Sequence, residues 1–445
     1  MMNIALKYKN LPFRDKVYQT GLVLILIISS GFPMFVNDKL VYITTFLYSL
    51  AGVIMYKPDL RWVFKYSSFF ILLMLFQTAF WGAFYITTAI NQILLFTTAC
   101  FSIAILGTNF IYLYKKTLVI IAAIASLLFI PMLIIPGFSD TLISASPIHI
   151  SKTAEAYGWE STSHNIFIMN FPPDFFEGLV RNSGPFWEPG AFGGYLLIAL
   201  IFDMLTTKTW LKKDNIILVV AIITTFSTTT YLAFAVFLCG YAFFKIKSPG
   251  VKWGLMIILL AVSAISFFKI EFLGKKIQEE IDDAEYYAFT KGGDGRVASA
   301  LLDLAEIREN AFFIFFGRGS HQDTRVAGDD KEVLRNNGIT DLLTRYGLFF
   351  FIFSIISIAL SFKQLTKIGN IPSSLAYLSL FVVLILSFSE VYFIFLVFKC
   401  LTLLYMAPLP NRKRVRIIID KTIDSPNRIT PSHLHTGLKI ANNNL

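Results

Sequence analysis

The chain has 445 residues, of which 55% are hydrophobic and only 15% are charged, with a formal net charge of +10. A soluble protein of this length would carry roughly a quarter charged residues, so the composition excludes a soluble globular protein and indicates a polytopic membrane protein. The basic residues lie mostly between apolar runs rather than on one soluble face, so we expect no nucleic-acid partner.

Twelve apolar runs predict an all-α polytopic membrane protein of about 12 transmembrane helices with two long loops, which we expect to be partly helical. Several runs are short, and two adjacent pairs could each be one long helix. Polar breaks at 227–230 and 387–390 favour two helices in each pair. The predicted spans are 20–36, 40–56, 67–84, 89–112, 117–136, 191–206, 215–228, 231–244, 253–270, 343–362, 374–389 and 391–407.

The basic residues test this count, because short cytoplasmic connections carry an excess of Lys and Arg. With the amino terminus in the cytoplasm, the inside connections hold Lys or Arg throughout, including Lys115 and Lys116 between the fourth and fifth spans. The outside short connections hold only Lys39. Merging a pair of runs would reverse the membrane orientation of every later segment and place Lys245 and Lys247 outside. We therefore keep twelve spans with both termini in the cytoplasm.

The predicted organisation follows from this topology. It is a cytoplasmic amino terminus (1–19), transmembrane helices 1–5 (20–136), a first outward-facing loop (137–190), helices 6–9 (191–270), a second outward-facing loop (271–342), helices 10–12 (343–407) and a basic cytoplasmic tail (408–445).

The first long loop ends in the sequence Arg-Asn-Ser-Gly-Pro-Phe-Trp-Glu-Pro-Gly at 181–190, directly before a predicted span. Its two glycines and two prolines predict a rigid turn at the membrane surface. Arg181 suits phosphate binding, because its planar fork makes bidentate bonds and stays charged. Glu188 suits a general base or a residue that orients an acceptor. The alternative is a salt bridge between Arg181 and Glu188 that caps the following span.

The second long loop contains a predicted amphipathic helix. It begins at Arg296, and Val297, Leu301, Leu304 and Ile307 recur at helical spacing. We expect this helix to lie on the membrane or on the helix bundle.

Four arginines of this region are further candidates for phosphate binding. Both long loops are net acidic, so we expect their arginines to have specific roles rather than to be part of a general basic surface. An arginine about one turn inside a span, as Arg345 is, is unfavourable unless it faces a polar cavity or an anion. The alternatives are snorkelling to the interface for Arg345 and a solvated surface charge for the others. The four are Arg296, Arg318, Arg335 and Arg345.

Two other residues have open roles. His321 is the only histidine of the second loop, and it is either a general base or an ordinary exposed side chain. Glu390, between the last two predicted spans, either points into an outward cavity or marks an outer turn. The histidines show no zinc spacing, and the chain has no Asp-x-Asp or phosphate-binding Gly-rich loop, so we expect neither metal nor cofactor.

These residues together resemble the O-antigen polymerase and O-antigen ligase superfamily of bacterial polysaccharide assembly. The stretch 181–190 resembles the polymerase motif at the end of the first periplasmic loop. Gly295-Arg296, Phe316-Gly-Arg-Gly319, Asn336-Asn-Gly338 and Gly347 resemble the second loop and the span after it. The resemblance covers about residues 20–407, and the motifs are specific mainly by their order and placement. Ligases carry a His-Asn pair where this chain has Asn336-Asn337, and that departure favours a polymerase.

The resemblance implies an enzyme of the bacterial inner membrane with its active site facing the periplasm. The expected activity is that of a metal-independent inverting glycosyltransferase. It would transfer a growing glycan from undecaprenyl pyrophosphate to a sugar hydroxyl of another lipid-linked repeat unit. Glu188 or His321 would be the base, and the five arginines, Arg181 included, would bind the pyrophosphate. The implied partners are the undecaprenyl-pyrophosphate-linked oligosaccharide, membrane lipids, a chain-length regulator and a flippase.

Two competing functions stay open at this point. A ligase would transfer finished glycan to lipid A core. A transporter of polysaccharide or lipid-linked sugar would bind its substrate near the bilayer midplane on broken helices. The concentration of polar residues in outward loops argues against transport.

Overall fold

The computed structural model describes most of the chain up to Pro408. The described residues are 8–36, 38–81, 85–154, 159–172, 180–207, 212–245, 248–250, 252–254, 257, 295–321, 324–325 and 336–408. Residues 1–408 form one unit by their internal contacts.

Helices make up nearly all of the regular structure. Up to and within the first long connection they are α1 (Phe13–Gly31), α2 (Lys39–Tyr56), α3 (Arg61–Trp81), α4 (Ile86–Leu106), α5 (Asn109–Ile134) and α6 (Phe138–Ser144). After it come α7 (Pro189–Thr206), α8 (Lys213–Thr224), α9 (Thr228–Lys245), α10 (Arg296–Arg308), α11 (Ala311–Phe316), α12 (Gly338–Gly369), α13 (Ser374–Ser389) and α14 (Leu396–Leu403), which a 3₁₀ turn (Leu404–Met406) extends.

The lengths and hydropathy of these helices identify a multi-pass membrane protein. Within the described residues, seven helices are long and apolar enough to cross a membrane, namely α2, α3, α4, α5, α7, α9 and α12. Shorter apolar helices, α13 and α14 with its extension, accompany them. The count of twelve spans stays a prediction, and most of the predicted span 253–270 lies outside the described residues.

Both ambiguous pairs of apolar runs form two separate helices. The first pair is interrupted between α8 and α9, where Phe226 adopts a positive φ of 46°. The second is interrupted between Ser389 and Leu396, where the chain leaves helical geometry. The prediction drawn from the polar breaks is therefore confirmed.

The first long connection contains a sheet that the prediction of partly helical loops did not include. Strands β1 (Ile148–Ala154) and β2 (Trp159–Asn165) pair antiparallel, with Ile148 opposite Asn165, and β3 (Asn170–Phe171) pairs with β2. This polar stretch lacks the long apolar alternation that normally marks strands, so hydropathy did not reveal it.

Helix α7 lies at the centre of the bundle, and 94% of its span is buried. Pro189 occupies its first turn, where a proline nitrogen forfeits no helical hydrogen bond. Gly193 lets α9 approach closely, because a Cβ there would lie 2.5 Å from Oγ1 of Thr230. The residue before this helix, Glu188, is thereby fixed relative to the bundle.

The bundle has two chemically distinct ends. At one, which we call the loop end, Gly31, Pro189, Gly338 and Ser389 come together with the long connections. At the other, which we call the lysine end, Lys115 of α5 is bonded to Asp203 of α7 at 3.1 Å. Every described candidate residue for the proposed site belongs to the loop end.

The observed helix bounds differ from the apolar runs. Gly107, with a φ of 53°, separates α4 from α5, so Lys115 and Lys116 lie within α5 rather than in a connection. Lys115 is buried because Asp203 and Asp214 neutralise it, and hydropathy alone does not anticipate such pairing. Helix α1 likewise begins at Phe13 and α12 at Gly338, both before the apolar runs that predicted them.

Candidate functional site

The stretch 181–190 is held at the loop end by hydrogen bonds to two other elements. The backbone nitrogen and the side-chain amide of Asn182 donate to Thr224 at the end of α8, at 3.0 and 2.9 Å. Ser183 Oγ donates to the Asn170 carbonyl at 2.6 Å, and Asn170 N donates to the Gly184 carbonyl at 2.6 Å. Gly184 has a φ of 48°, which disfavours other residues there. These hydrogen bonds join the turn to α8 and to β3.

An aromatic anchor fixes the same stretch from below. Phe186 is fully buried, and its ring lies 4.7 Å from that of Tyr195 and 5.3 Å from that of Phe192. Its edge-on contact with Phe32 at 5.9 Å ties the turn to the end of α1. Such pairs add to the burial of apolar area, so the main chain around Glu188 is firmly placed.

Two carboxylates from distant parts of the sequence flank Gly190. A Cβ on Gly190 would lie 2.6 Å from Oε1 of Glu390 and 3.6 Å from Oε1 of Glu188. The Tyr392 hydroxyl donates to the Gly190 carbonyl at 3.0 Å and locks the two segments together. Both carboxylates are therefore close enough to act on one small volume.

The alternative interpretation of Arg181 and Glu188 as a mutual salt bridge fails among the described residues. The two do not form an ion pair there, and the Glu188 side chain makes no cap hydrogen bond to α7. Glu188 is half-buried, as is Arg181. Its carboxylate therefore lies beside Gly190 without capping the helix.

Arg296 joins this group from the second long connection. Its Nε donates to Oγ of Ser389 at 2.8 Å and to the Ser389 carbonyl at 3.3 Å, directly beside Glu390. Gly338 packs closely against the same turn, because a Cβ added to it would lie 2.9 Å from the Ser387 carbonyl oxygen. This contact brings the beginning of α12 to the site. We call Glu188, Gly190, Arg296, Ser389, Glu390 and Tyr392 the carboxylate site.

A second group of charges binds α10 to α12. Arg325 is buried and donates to Asp303 at 2.6 Å, to Asp341 at 3.0 Å and to Glu306 at 3.1 Å. Arg345 donates from Nε to the other oxygen of Asp341 at 2.6 Å. Burial alone would lower the pKa of Arg325, but the three carboxylates raise it above its ordinary value. We call these five residues the ionic network.

The network corrects the predicted face of the amphipathic helix. The helix exists as α10, but Leu301 is 38% exposed, whereas Asp303 and Glu306 are fully buried. The helix therefore docks on the bundle through a face that includes two acids. Their partner, Arg325, was not among the predicted site residues.

Arg345 lies at a break in a membrane helix. Gly347, two residues later, has a φ of 74° and a ψ of 176°, which interrupts α12. Around this break Arg318 N donates to the Thr344 carbonyl at 2.7 Å, and Gly319 N donates to the Arg345 carbonyl at 3.1 Å. Broken helices at membrane depth are tolerated where they line a cavity or are buried in protein. Arg345 does line a polar cavity, one of the two conditions its placement required.

Arg318 is enclosed by protein. Its Nε donates to the Thr324 carbonyl at 2.6 Å and its Nη1 to the Glu306 carbonyl at 3.1 Å, beside an ion pair with Glu309. The guanidinium also lies 4.8 Å from the centre of the Phe313 ring. It is not the solvated surface charge that the alternative interpretation expected.

The remaining predicted residues lie elsewhere. His321 stacks on Tyr85, with ring centres 3.9 Å apart, and lines a small cavity with Trp81 and Arg318. Arg335 lies outside the described residues. Within the described ranges, no group of three or more His, Cys, Asp or Glu side chains is placed to hold a metal ion.

Comparisons with known proteins add no relative. A scan against protein-family models, a search of curated proteins and a search of solved structures each gave no match.

Proposed function

We propose that this chain is a polymerase of lipid-linked oligosaccharide repeat units, of the kind that builds O-antigen, capsule or exopolysaccharide. The observation that carries the proposal is the carboxylate site, in which Glu188 and Glu390 flank one glycine with Arg296 beside them. A base and a fixed cation side by side suit the transfer of a sugar from a diphosphate leaving group. The resemblance of the motifs to O-antigen polymerases supports the same reaction.

The proposed chemistry is an inverting displacement. Glu188 takes the proton of the acceptor hydroxyl, and the acceptor oxygen attacks the anomeric carbon of the donor glycan. The bond from that carbon to the diphosphate oxygen breaks, and undecaprenyl pyrophosphate leaves with the electron pair. Arg181 and Arg296 stabilise the charge that develops on the leaving group, and such preorganised charge is typically the largest catalytic contribution. Glu390 orients the acceptor against Glu188.

The other predicted residues take different weights in this proposal. Arg345 remains a pyrophosphate ligand, because it lines a polar cavity. Carbonyl oxygens and Glu309 hold the guanidinium of Arg318. In this proposal Arg318 therefore acts on the pyrophosphate by positioning the residues around it. Arg335 keeps the role implied by the resemblance. The partners are the undecaprenyl-pyrophosphate-linked oligosaccharide and membrane lipids, with a chain-length regulator and a flippase nearby, and the site faces the periplasm.

Mutation of the site tests the proposal in a strain that lacks the chromosomal copy. Arg181→Ala and Glu188→Gln should each abolish long polymer and leave single repeat units, read as the glycan length profile. Matched controls are Arg308→Gln and Asp140→Asn, which change the same charges at exposed positions. Polymer of wild-type length in both site variants would contradict the proposal. Loss of polymer in His321→Ala together with an active Glu188→Gln would move the base to His321.

Two further outcomes separate the competing functions. A deletion strain that accumulates lipid-linked polymer identifies a ligase, whereas a polymerase leaves single units. Purified protein that elongates lipid-linked repeats in detergent, with no gradient present, excludes a transporter as the explanation.

A further inference from the structure

A polar cavity of about 320 Å³ lies at the loop end, between the beginnings of α2 and α4 and the region of Arg345. Ligand sites in proteins commonly measure roughly 300–1,000 Å³. A single buried water needs only about 10–15 Å³ by a comparable measure. The space is therefore large enough for a small ligand group.

The residues around this cavity favour an anion. Lys39 and Arg345 supply two positive charges, and Thr87, Asn91 and Ser320 supply hydroxyl and amide groups. Among the described lining residues none is acidic. Paired cations with neutral hydrogen-bond donors are the usual environment of phosphate groups, since phosphate oxygens accept short charge-assisted bonds.

Arg345 is preorganised for such a role. Its Nε is held by Asp341, and its carbonyl accepts from Nε2 of Gln77 at 2.7 Å and from Gly319 N at 3.1 Å. A fixed guanidinium binds an anion more tightly than a mobile one, because less side-chain freedom is lost on binding.

Lys39 is an exception in the charge pattern of the sequence. It is the only basic residue in the short connections that the sequence predicts to lie outside, where the positive-inside rule predicts few. It begins α2, it is exposed, and among the described residues it belongs to no ion pair. A lysine that opposes the topological bias and faces the same cavity as Arg345 has a role there.

We propose that this cavity binds a diphosphate between Lys39 and Arg345, with Thr87 and Asn91 as neutral ligands. The origin of this diphosphate rests on the proposed function, because a polymerase of lipid-linked repeat units would bring the diphosphate of its donor to the cavity. Free inorganic pyrophosphate shares the same chemistry. The cavity is a subsite that positions the leaving group for the carboxylate site.

Direct binding tests this subsite without any transfer reaction. Full-length protein purified in detergent is titrated calorimetrically with inorganic pyrophosphate and with farnesyl diphosphate as a short prenyl analogue. Lys39→Gln should weaken both by roughly tenfold or more, because a charge-assisted bond is lost. Lys39→Arg should restore binding, and Lys116→Gln, an exposed lysine of α5, should leave it unchanged.

The two probes distinguish the source of the anion. Much tighter binding of farnesyl diphosphate indicates a lipid-borne ligand, and equal binding indicates recognition of the diphosphate alone; both support the subsite. Equal affinity in wild type and Lys39→Gln would overturn it. So would displacement of Lys39-dependent binding by vesicles of phosphatidylglycerol, since Lys39 would then contact lipid headgroups.

Failure of this proposal is separate from failure of the proposed function. If Lys39→Gln loses diphosphate binding while the wild type does not elongate repeats, the subsite stands and the polymerase does not. If elongation is normal and Lys39→Gln binds diphosphate as tightly as the wild type, the polymerase stands and the subsite does not.

Discussion

Two groups of charged side chains lie at the loop end, and they are organised differently. In the ionic network, three carboxylates are matched to two guanidiniums at 2.6 to 3.1 Å. In the carboxylate site, Glu188 and Glu390 flank Gly190, and the Nε of Arg296 donates to Ser389, the residue before Glu390.

The difference indicates that the two groups have different roles, one in structure and one in turnover. Charges that satisfy each other in a buried network hold elements together, and Arg325, which bonds to three carboxylates, has little left for a ligand. Arg345, at the edge of the network, also faces the polar cavity. The network ties α10 and the segment of Arg325 to α12, which places Arg296, the first residue of α10, beside Ser389. We therefore expect changes in the network to act on stability and changes in the carboxylate site to act on turnover.

The largest expected effect is on the stability of the network. Arg325→Gln removes a guanidinium that bonds to three buried carboxylates, and breaking a buried ion pair typically costs about 3–5 kcal/mol of unfolding free energy. Thermal unfolding in detergent measures this loss. Arg308→Gln, in the exposed last turn of α10, is the matched control. An unchanged unfolding temperature in Arg325→Gln would remove the network from its structural role.

A change in the carboxylate site should instead lower turnover and leave stability unchanged. Glu390→Gln keeps the shape of the side chain, so the unfolding temperature should stay near that of the wild type. The initial rate of repeat elongation should fall roughly a hundredfold, because a misplaced acceptor can lose that much. Asp303→Asn in the network should destabilise the fold instead. If Glu390→Gln unfolds as readily as Asp303→Asn, the division between the two groups is wrong.

Much of the helical framework was predictable from hydropathy. The runs and polar breaks located nearly every described membrane helix. Both pairs are interrupted, at 225–227 and 390–395, which overlap the polar breaks at 227–230 and 387–390 by one residue each. The helix bounds were not predictable, because the burial of Lys115 depends on Asp203 and Asp214, and Asp203 is 88 residues away in the sequence. The sheet of the first connection was missed, since its strands carry no long apolar alternation.

The candidate site was predictable as residue types but not as an arrangement. The turn at 181–190 followed from its glycines and prolines, yet its approach to Tyr392 joins residues 202 positions apart. The apolar spacing of Val297 and Leu301 suggested one face of α10, whereas the burial of Asp303 depends on Arg325. Tertiary partners of this kind cannot be read from a local pattern, because the unfavourable burial of an acid is reversed only by its ion pair.

A smaller effect is expected at the glycine between the two carboxylates. In Gly190→Ala the new methyl group would lie 2.6 Å from Oε1 of Glu390, so this flexible side chain must move. We expect elongation to slow about tenfold, equivalent to ~1.4 kcal/mol of activation free energy, with folding little affected. Gly254→Ala is the control, since a Cβ there meets nothing within 4 Å. Normal elongation by Gly190→Ala would show that the position of Glu390 does not matter.

The smallest expected effect tests whether the network acts on stability alone. Thr340 donates its hydroxyl to Oδ2 of Asp303 at 2.6 Å, while Arg325 binds Oδ1 of the same carboxylate. Thr340→Val removes one donor and keeps the volume, so we expect a loss of about 1 kcal/mol in unfolding free energy. Thr44→Val, at an exposed position of α2, should be nearly neutral. Elongation per folded molecule should be unchanged in Thr340→Val, because Arg325 still holds Asp303 and α10 stays docked. A turnover defect larger than the stability defect would mean that the network transmits to the carboxylate site through α10, and the two groups would then have to be treated as one.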